Sequence, residues 1–560
     1  MIPIFLCPGN FTMIKKGLIS LAILFLLLYI APLNMRPVNT PDEARYGEIS
    51  REMLDTGDFI VPRLNGLRYF EKPVLGYWLN AASMALFGDN GFAIRFPSAL
   101  AVGLTALTIF LLVHRFHGRD ETALLSAFIY ITFIEVYGVG TLCVMDNLLN
   151  LFMTATLGCF FIASTNKTVR NRNVWLLLSG IFCGAAFLTK GFLAFVLPAL
   201  TAIPFFMWER RGRDMFTLAW LPYLVAAAVS LPWCLMITLR EPDFWRYFLW
   251  KEHFQRFLSA DSSMHAQPFW FFIPFFLASA FPWILVIPVA IGQYKRELLR
   301  KPLVRFCLCW MILSLVFFSA SSGKLITYIL PCFPPLAVLV AIGLTEYFRY
   351  GSKSIFNYCS VMPVVLTGLM VTVLLLIAFT PALHRKIYVP EEGYKLWYYI
   401  GAAVFCFAIM IKSVLTQNRL WRMVAPGLSA AAIMLLFPFA VPVENSVHAG
   451  MTAFLDSQKD HITADTFLVS DYRTVQAVCY TYKSRDAYLF LNNGELRYGL
   501  SYQDSSGRSI NTAGLKKLLD DQDNRQVAII IKETTKSRAG MLWPDPVYQA
   551  SWKDFWFAIY

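Results

Sequence analysis

Residues 17–33 read GLISLAILFLLLYIAPL, and residues 40–47, which follow closely, read TPDEARYG. The first stretch is long and apolar, and no small-residue cleavage site follows it, so it predicts a signal anchor rather than a cleaved signal peptide. The second stretch places the acidic pair Asp42 and Glu43 just beyond that anchor. Because ionisable residues near the apolar slab are costly, a carboxylate pair at a membrane surface is a functional hypothesis by default.

The composition indicates a membrane protein over most of its length. Of the 560 residues, 57% are hydrophobic and only 15% are charged, and the mean hydropathy is +0.53. The 49 Lys and Arg exceed the 36 Asp and Glu by a modest margin, which is typical of membrane topology and argues against nucleic-acid binding. The eleven cysteines show no paired spacing, and Cys159, Cys183 and Cys307 stand in apolar runs, as buried thiols do.

Apolar runs of about 20 residues predict a polytopic α-helical protein with about 13 transmembrane helices, in a domain over residues 1–443. The predicted spans are residues 17–33, 95–113, 122–137, 147–164, 174–188, 192–208, 216–237, 269–293, 303–319, 326–346, 356–379, 396–411 and 423–441. Residues 444–560 are far more polar, and short apolar pulses alternate there with candidate helices. That pattern predicts a small α/β domain outside the membrane.

One short apolar segment, residues 74–88, decides the orientation. If it forms an interfacial helix and does not span, the basic clusters of alternate loops all face the cytoplasm, as the positive-inside rule requires. Those clusters lie at Arg115 and Arg119 and within residues 167–172, 210–213, 295–301, 349–353 and 412–422. We therefore predict that the acidic loop 36–73 and the C-terminal domain are on the outer side.

With this topology, charged and aromatic residues from distant loops fall at the outer surface. They are Asp42, Glu43, Glu71, Lys72, Asp146, Lys190, residues 240–268, Lys324 and Tyr328. Convergence of scattered charges on one face is the pattern of an active cavity. An ordinary solvated loop charge explains any one of these residues, but explains the whole set less well.

Six short motifs in order along the chain carry a family resemblance. They are TPDEARY at 40–46, FEKP at 70–73, MDN at 145–147, LTKG at 188–191, HFQRF at 253–257 and SGKL at 322–325 with Tyr328. Together they resemble the bacterial lipid A 4-amino-4-deoxy-L-arabinose transferases, which have the C-type membrane glycosyltransferase fold. The resemblance covers the whole chain, although related mannosyl transferases share the single motifs. Against that pattern residues 1–11 look like an extension, with Met13 as the equivalent start.

The resemblance implies transfer of 4-amino-4-deoxy-L-arabinose from undecaprenyl phosphate to lipid A phosphates at the periplasmic face of the bacterial inner membrane. Resistance to polymyxin and cationic antimicrobial peptides follows, because each added amine offsets a phosphate charge. Two alternatives remain open: a transferase that moves another sugar, such as mannose, to protein or lipid, and a lipid transporter. A transporter predicts charges near mid-span or helices broken at matching positions of two repeats, and neither is evident.

Three carboxylates are candidate catalytic residues. Asp42 occupies the place of the base in related enzymes with hydroxyl acceptors, but a phosphate acceptor is already anionic. Asp42 could therefore orient the acceptor, bind the sugar amine or hold a cation, and its alternative role is to cap the following helix. Glu43 and Asp146 are further candidates, with a helix-dipole contact and N-capping as their respective alternatives.

The remaining candidates would bind substrate. Lys72, Lys190, Arg256 and Lys324 are predicted to stabilise the departing phosphate, because fixed cations act strongly where water is scarce. The alternative for each lysine is snorkelling to the headgroups. Tyr46, Tyr69 and Tyr328 are predicted to hydrogen-bond the donor phosphate or sugar, although interfacial tyrosines are common in any case.

One cofactor is considered. Glu71 and His253 could share a divalent metal ion with substrate phosphates, but no sequence-local metal motif supports this, and a lone His is more often structural. The expected partners are the lipid-linked sugar donor, lipid A and the bilayer.

Overall fold

The computed structural model describes residues 8–560 except 167, 256–266, 296, 351–352, 382, 384–386, 444–445 and 521–524. Among the described residues, nine helices are long and apolar enough to cross a membrane. A tenth is obtained if Asp120–Ile131 and Ile134–Gly140, which meet at a bend of 59°, form one span. The predicted polytopic helical architecture is confirmed.

The described chain contains α-helices of very different lengths. In chain order they are α1 Pro8–Phe25, α2 Asp42–Thr56, α3 Leu75–Phe87, α4 Gly91–His117, α5 Asp120–Ile131, α6 Ile134–Gly140, α7 Asp146–Thr165, α8 Val169–Lys190, α9 Leu193–Trp208, α10 Gly212–Arg240, α11 Phe272–Ser279, α12 Ile287–Ile291, α13 Pro302–Ala320, α14 Phe333–Tyr350, α15 Lys353–Phe379, α16 Lys395–Leu415, α17 Arg419–Ala440, α18 Val447–Ser457, α19 Val475–Tyr482, α20 Thr512–Asp520 and α21 Glu533–Arg538.

The chain folds into two compact units. The first, here called the helical unit, comprises Met1–Met35, Pro97–Leu235 and Trp245–Val441. The second, the mixed unit, comprises Arg36–Phe96, Met236–Phe244 and Pro442–Tyr560. The sequence placed residues 36–73 in the membrane domain, whereas the structure groups them with the C-terminal domain.

Several predicted spans of the helical unit are not one long helix: residues 122–137 bend between α5 and α6, residues 326–346 begin with the 3-10 helix Ile326–Cys332, and three others are shorter or divided. Residues 17–33 form the end of α1 and the π-helix Leu26–Ile30, and residues 192–208 form the 16-residue α9. Residues 269–293 break into Phe269–Phe271, α11, Trp283–Leu285 and α12. Prolines explain this last break, because Pro282 and Pro288 lack an N–H and stand where new short helices begin.

Glycines allow α8 and α10 to approach closely inside the helical unit. A Cβ atom on Gly180 would lie 2.6 Å from the Cβ of Val225, and one on Gly184 would lie 2.8 Å from the Cβ of Val229. Two small residues four positions apart form one continuous strip on a helix. Such strips let membrane helices make backbone-close contacts, which drive association where the hydrophobic effect does not.

The mixed unit contains a six-stranded sheet of order β5-β4-β3-β6-β8-β7. Its strands are β3 Phe467–Ser470, β4 Tyr488–Phe490, β5 Ser509–Ile510, β6 Val527–Lys532, β7 Tyr548–Trp552 and β8 Phe555–Ile559. Strands β3 to β6 pair in parallel, β8 pairs antiparallel with β6, and β7 pairs antiparallel with β8. The buried run Val527–Ile531 suits a central strand covered on both faces. The C-terminal α/β domain predicted from the sequence is thus present.

A short hairpin ties the acidic segment to that sheet domain. Strands β1 Arg63–Leu64 and β2 Leu67–Arg68 meet at a turn in which Asn65 has φ 57°. The Asn65 side chain donates to the carbonyl of Ala487 at 2.8 Å and accepts from its N–H at 3.0 Å. These buried hydrogen bonds explain why residues 36–73 fold with the C-terminal domain.

Helix α2 carries a buried charged cluster. Arg51 donates to both carboxylate oxygens of Glu48, at 2.8 and 2.6 Å. Glu52 accepts a hydrogen bond of 3.0 Å from the N–H of Gly66 in the hairpin turn. Burial, and then the nearby charge of Glu48, raises the pKa of Glu52 to about 8. Glu52 therefore carries a proton at neutral pH, which avoids a second buried negative charge.

The close packing of α8 and α10 generates a stability prediction. Replacing Gly180 with Leu should cost about 1–3 kcal/mol, because the added side chain has no room beside Val225. Thermal unfolding of the detergent-purified protein measures this loss. Gly401→Leu in α16 is the matched control, since a Cβ there has no neighbour within 4 Å. Equal midpoints for the two variants would refute the close-packing account.

The raised pKa of Glu52 generates a pH prediction. The folded state holds a proton that the unfolded carboxyl releases near its ordinary pKa of 4.5. Unfolding free energy should therefore fall as pH rises between about 4.5 and 8. Glu52→Gln, which needs no proton, should lose less stability over that interval. Unfolding midpoints measured at several pH values test this, and parallel pH curves for wild type and variant would contradict it.

Candidate active site

Asp42 opens helix α2 and faces solvent. Its side chain is 58% exposed and forms an ion pair with Arg45 one turn further on. The N-cap position belongs to Pro41, and no side-chain capping bond is made there. The capping alternative for Asp42 is therefore not supported, and the carboxylate is presented outward while Arg45 holds one of its oxygens.

Arg45 is itself held by a residue far along the chain. Its Nη1 donates to Glu495 at 2.5 Å and to the hydroxyl of Tyr69 at 3.1 Å. The other oxygen of Glu495 accepts from Gln476 at 2.6 Å. Burial raises the pKa of Glu495, although the Arg45 charge opposes that shift. The result is a hydrogen-bonded chain that runs from the C-terminal domain to Asp42.

Sequence reasoning missed Glu495 because nothing local distinguishes it. It stands 450 residues from Arg45, in the 3-10 turn Gly494–Arg497 of a polar domain. The one available indication was Arg45 in the TPDEARY motif. A guanidinium that is partly buried in the fold needs an acidic partner, and the motif does not show which residue that is.

Glu43 lies in a buried ion pair. Its two oxygens accept from Arg95 at 2.8 and 2.7 Å, and the two side chains are 1% and 0% exposed. One oxygen also accepts from the N–H of Asn39 at 2.8 Å. Burial would raise the pKa of Glu43, but the charge and hydrogen bonds of Arg95, with the Arg36 charge and the Asn39 N–H, together outweigh it and the pKa is lowered. These contacts support an anchoring role for the start of α2, and a catalytic role for Glu43 stays a prediction.

The other candidates of the mixed unit are Tyr46, Glu71 and Lys72. The ring of Tyr46 packs against Tyr77 at 6.1 Å between centroids, with the Arg45 guanidinium 5.4 Å from it. Lys72 donates to the backbone carbonyl of Glu71 at 2.9 Å. The negative charge of Glu71 contributes to raising the pKa of both Tyr69 and Glu495. Asp42, Tyr46, Tyr69, Glu71 and Lys72 all belong to the mixed unit, and their roles at a substrate site stay predictions.

In the helical unit, Lys190 joins two further candidates. It ends α8 and donates to Asp146 at 2.6 Å, while its Nζ lies 4.8 Å from the ring centroid of Tyr328. Its side chain is only 10% exposed. Asp146 begins α7 without any side-chain capping bond, so capping does not explain it. A lysine held between a carboxylate and a ring does not fit the snorkelling alternative.

Lys324 has different surroundings. Its ammonium donates to the backbone carbonyl of Gln267 at 2.9 Å and to that of Ser321. Burial lowers the pKa of this lysine. The contacts support a structural role in bracing the loop before the segment Ile326–Cys332, and phosphate binding by Lys324 stays a prediction.

Two predicted site residues lie outside the described part of the chain. Arg256 falls in the segment 256–266, and the side chain of His253 is also not described. Among the residues that are described, no group of three or more His, Cys, Asp or Glu could hold a metal ion. The metal pair of Glu71 and His253 stays a prediction.

Comparison with known proteins covers almost the entire chain. The family model of dolichyl-phosphate-mannose-protein mannosyltransferases matches residues 14–248. That of the C-terminal domain of arabinosyl transferase ArnT matches residues 451–559. The chain is 36% identical over 527 residues to the undecaprenyl phosphate-alpha-4-amino-4-deoxy-L-arabinose arabinosyl transferase of Shewanella sediminis, which covers 92% of this chain and 94% of the relative. The protein of the same name from Pectobacterium atrosepticum is 37% identical over 529 residues, 93% of each chain.

A solved structure shares the fold. The crystal structure of ArnT from Cupriavidus metallidurans bound to undecaprenyl phosphate superposes with a TM-score of 0.82 over 97% of this chain and 98% of that chain. The sequence identity is 22%, so this likeness speaks for the fold alone.

Proposed function

Because this chain belongs to the undecaprenyl phosphate-alpha-4-amino-4-deoxy-L-arabinose arabinosyl transferases, we propose that it moves 4-amino-4-deoxy-L-arabinose from undecaprenyl phosphate to a phosphate of lipid A. The protein is a pentosyltransferase by family. A phosphate oxygen of the acceptor attacks the anomeric carbon, and the bond from that carbon to the donor phosphate breaks. The bonding electrons leave with undecaprenyl phosphate.

The observation that carries the chemistry is the position of Lys190. Asp146 and the ring of Tyr328 fix its ammonium at the end of a helix, in a place with little exposure to water. A fixed cation there stabilises the negative charge that grows on the leaving phosphate. Low local dielectric strengthens this attraction well beyond its value in water.

Asp42 has a different role from Lys190 in this proposal. The acceptor is already ionised, so no strong base is needed. The exposed carboxylate, steadied by Arg45 and through it by Glu495, orients the acceptor or a cation that accompanies it. Positioning of this kind accounts for large rate effects without proton transfer.

The acceptor and the location complete the proposal. The basic loops support an inner-membrane protein whose TPDEARY segment and C-terminal domain are periplasmic, where lipid A would be reached. Addition of an amine to lipid A would lower the attraction of polycationic antibiotics. A reporter enzyme that works only in the cytoplasm can be fused to Tyr560. Activity of that fusion would overturn the proposed orientation.

Mass spectrometry of lipid A tests the reaction itself. A strain that makes unmodified lipid A should gain species with one or two added aminoarabinose groups when this protein and the donor pathway are supplied. Species with a neutral hexose, or unmodified lipid A together with glycosylated protein, would point to a mannosyl-type transferase instead.

The outward carboxylate of Asp42 yields one prediction. Asp42→Ala and Asp42→Asn should both abolish lipid A modification, because Asn retains the shape and loses the charge. Asp55→Asn is the matched control, since Asp55 lies on the same helix and contacts only Arg51 among the described residues. Modification is compared at equal amounts of membrane protein, and a fully active Asn variant would remove charge from the role of Asp42.

The held ammonium of Lys190 yields another. Lys190→Ala should lower turnover about 10²-fold or more, the scale for losing one oriented charge-stabilising donor. Lys190→Arg should restore only part of it, because a guanidinium is larger and planar. A snorkelling lysine predicts the reverse pattern, with a mild Ala variant and a silent Arg variant. Initial rates with purified donor and lipid A distinguish the two.

A further inference from the structure

Glu135 is a buried carboxylate that none of the roles above uses. It lies in α6, the short helix that follows the 59° bend after α5, and is 9% exposed. One oxygen accepts a hydrogen bond of 3.0 Å from the hydroxyl of Ser279. The other oxygen is buried and has no hydrogen-bond partner in the described part of the chain.

Glu135 belongs to the same region as the Lys190 pair. Helix α6 packs against α7, whose first residue is Asp146, and against the segment Ile326–Cys332, which carries Tyr328. The charge of Asp146 acts on Glu135. All these residues belong to the helical unit.

The charges of this group do not balance. Of the described residues in it, Glu135 and Asp146 are carboxylates and Lys190 is an ammonium, and the ion pair of Lys190 is with Asp146. Among described residues, Glu135 has no cationic neighbour within ion-pair distance. An ionised carboxylate buried without a partner is costly, and one inside a membrane domain marks a functional site by default. The arrangement is suited to receive a positive group from a ligand.

We propose that Glu135 binds the ammonium group of the donor sugar and so selects the amino sugar over neutral sugars. The proposal rests on the function proposed above. The donor headgroup carries a phosphate on one side of its ring and an ammonium on the other. Lys190 receives the phosphate and the free oxygen of Glu135 receives the ammonium. Ser279 holds the second oxygen and thereby directs the first.

The test compares two donors in wild type and Glu135→Gln. One donor is undecaprenyl phosphate-aminoarabinose, and the other carries a hydroxyl in place of the amine. Wild type should favour the amino donor in kcat/KM, and Glu135→Gln should reduce that preference roughly 10- to 100-fold, the range for a hydrogen bond to a charged group. The loss should come from the amino donor alone, while the hydroxyl donor reacts as in wild type.

Two control variants isolate the charge. Ser279→Ala removes the hydroxyl contact and keeps the carboxylate, so most of the preference should remain. Glu391→Gln changes an exposed carboxylate of the same unit and should change nothing. An unaltered preference for the amino donor in Glu135→Gln overturns the proposal. That result is expected if Glu135 is protonated, because a neutral glutamine then has the same charge.

A binding measurement keeps the test decisive if the glutamine variant fails to accumulate. Wild-type protein should bind the amino donor at least 10-fold more tightly than the hydroxyl donor. Equal dissociation constants overturn the role of Glu135 and leave the transferase function intact. Failure of wild type to transfer sugar from either donor to lipid A would instead refute the proposed function.

Discussion

A charge that leaves water must meet an opposite charge or a dense set of hydrogen bonds, and this constraint shapes both units of the protein. The cost of isolating an ion is several kcal/mol even after relaxation. Ion pairs offset this cost in both units: Glu43 pairs with Arg95, Arg45 pairs with Glu495, and Lys190 pairs with Asp146. Within each unit, the contacts that make burial of the charges tolerable also hold these side chains in place.

Lys190 and Lys324 differ in the chemical nature of their partners. Lys190 has a carboxylate and an aromatic ring as neighbours, and both leave donor capacity for a third group, since an ammonium has three N–H donors. Lys324 instead directs two of its three donors to the backbone carbonyls of Gln267 and Ser321. Two lysines that look equivalent in short sequence motifs thus differ in what they can still bind.

Much of the helical architecture could be predicted, because a spanning helix is recorded in one continuous apolar run. Where the structure departs from the prediction, one cause is local: prolines divide residues 269–293 into short helices. Another cause is distant in sequence. The hairpin at Asn65 was read as loop, because its stability depends on Ala487, which lies more than 400 residues away. The candidate carboxylates were found from motif and topology, but only the structure separates Asp42, which is exposed and makes no capping bond, from Glu43, which is enclosed by Arg95.

The distance in sequence between Arg45 and Glu495 has a consequence for biogenesis. The ribosome delivers the arginine among the first residues and its partner 450 residues later, after every predicted membrane span has emerged. Domains generally fold as units during synthesis, but the mixed unit is assembled from early and late segments. The contact between Arg45 and Glu495 must therefore wait until the late segment has been translated, and a prematurely terminated chain would lack it.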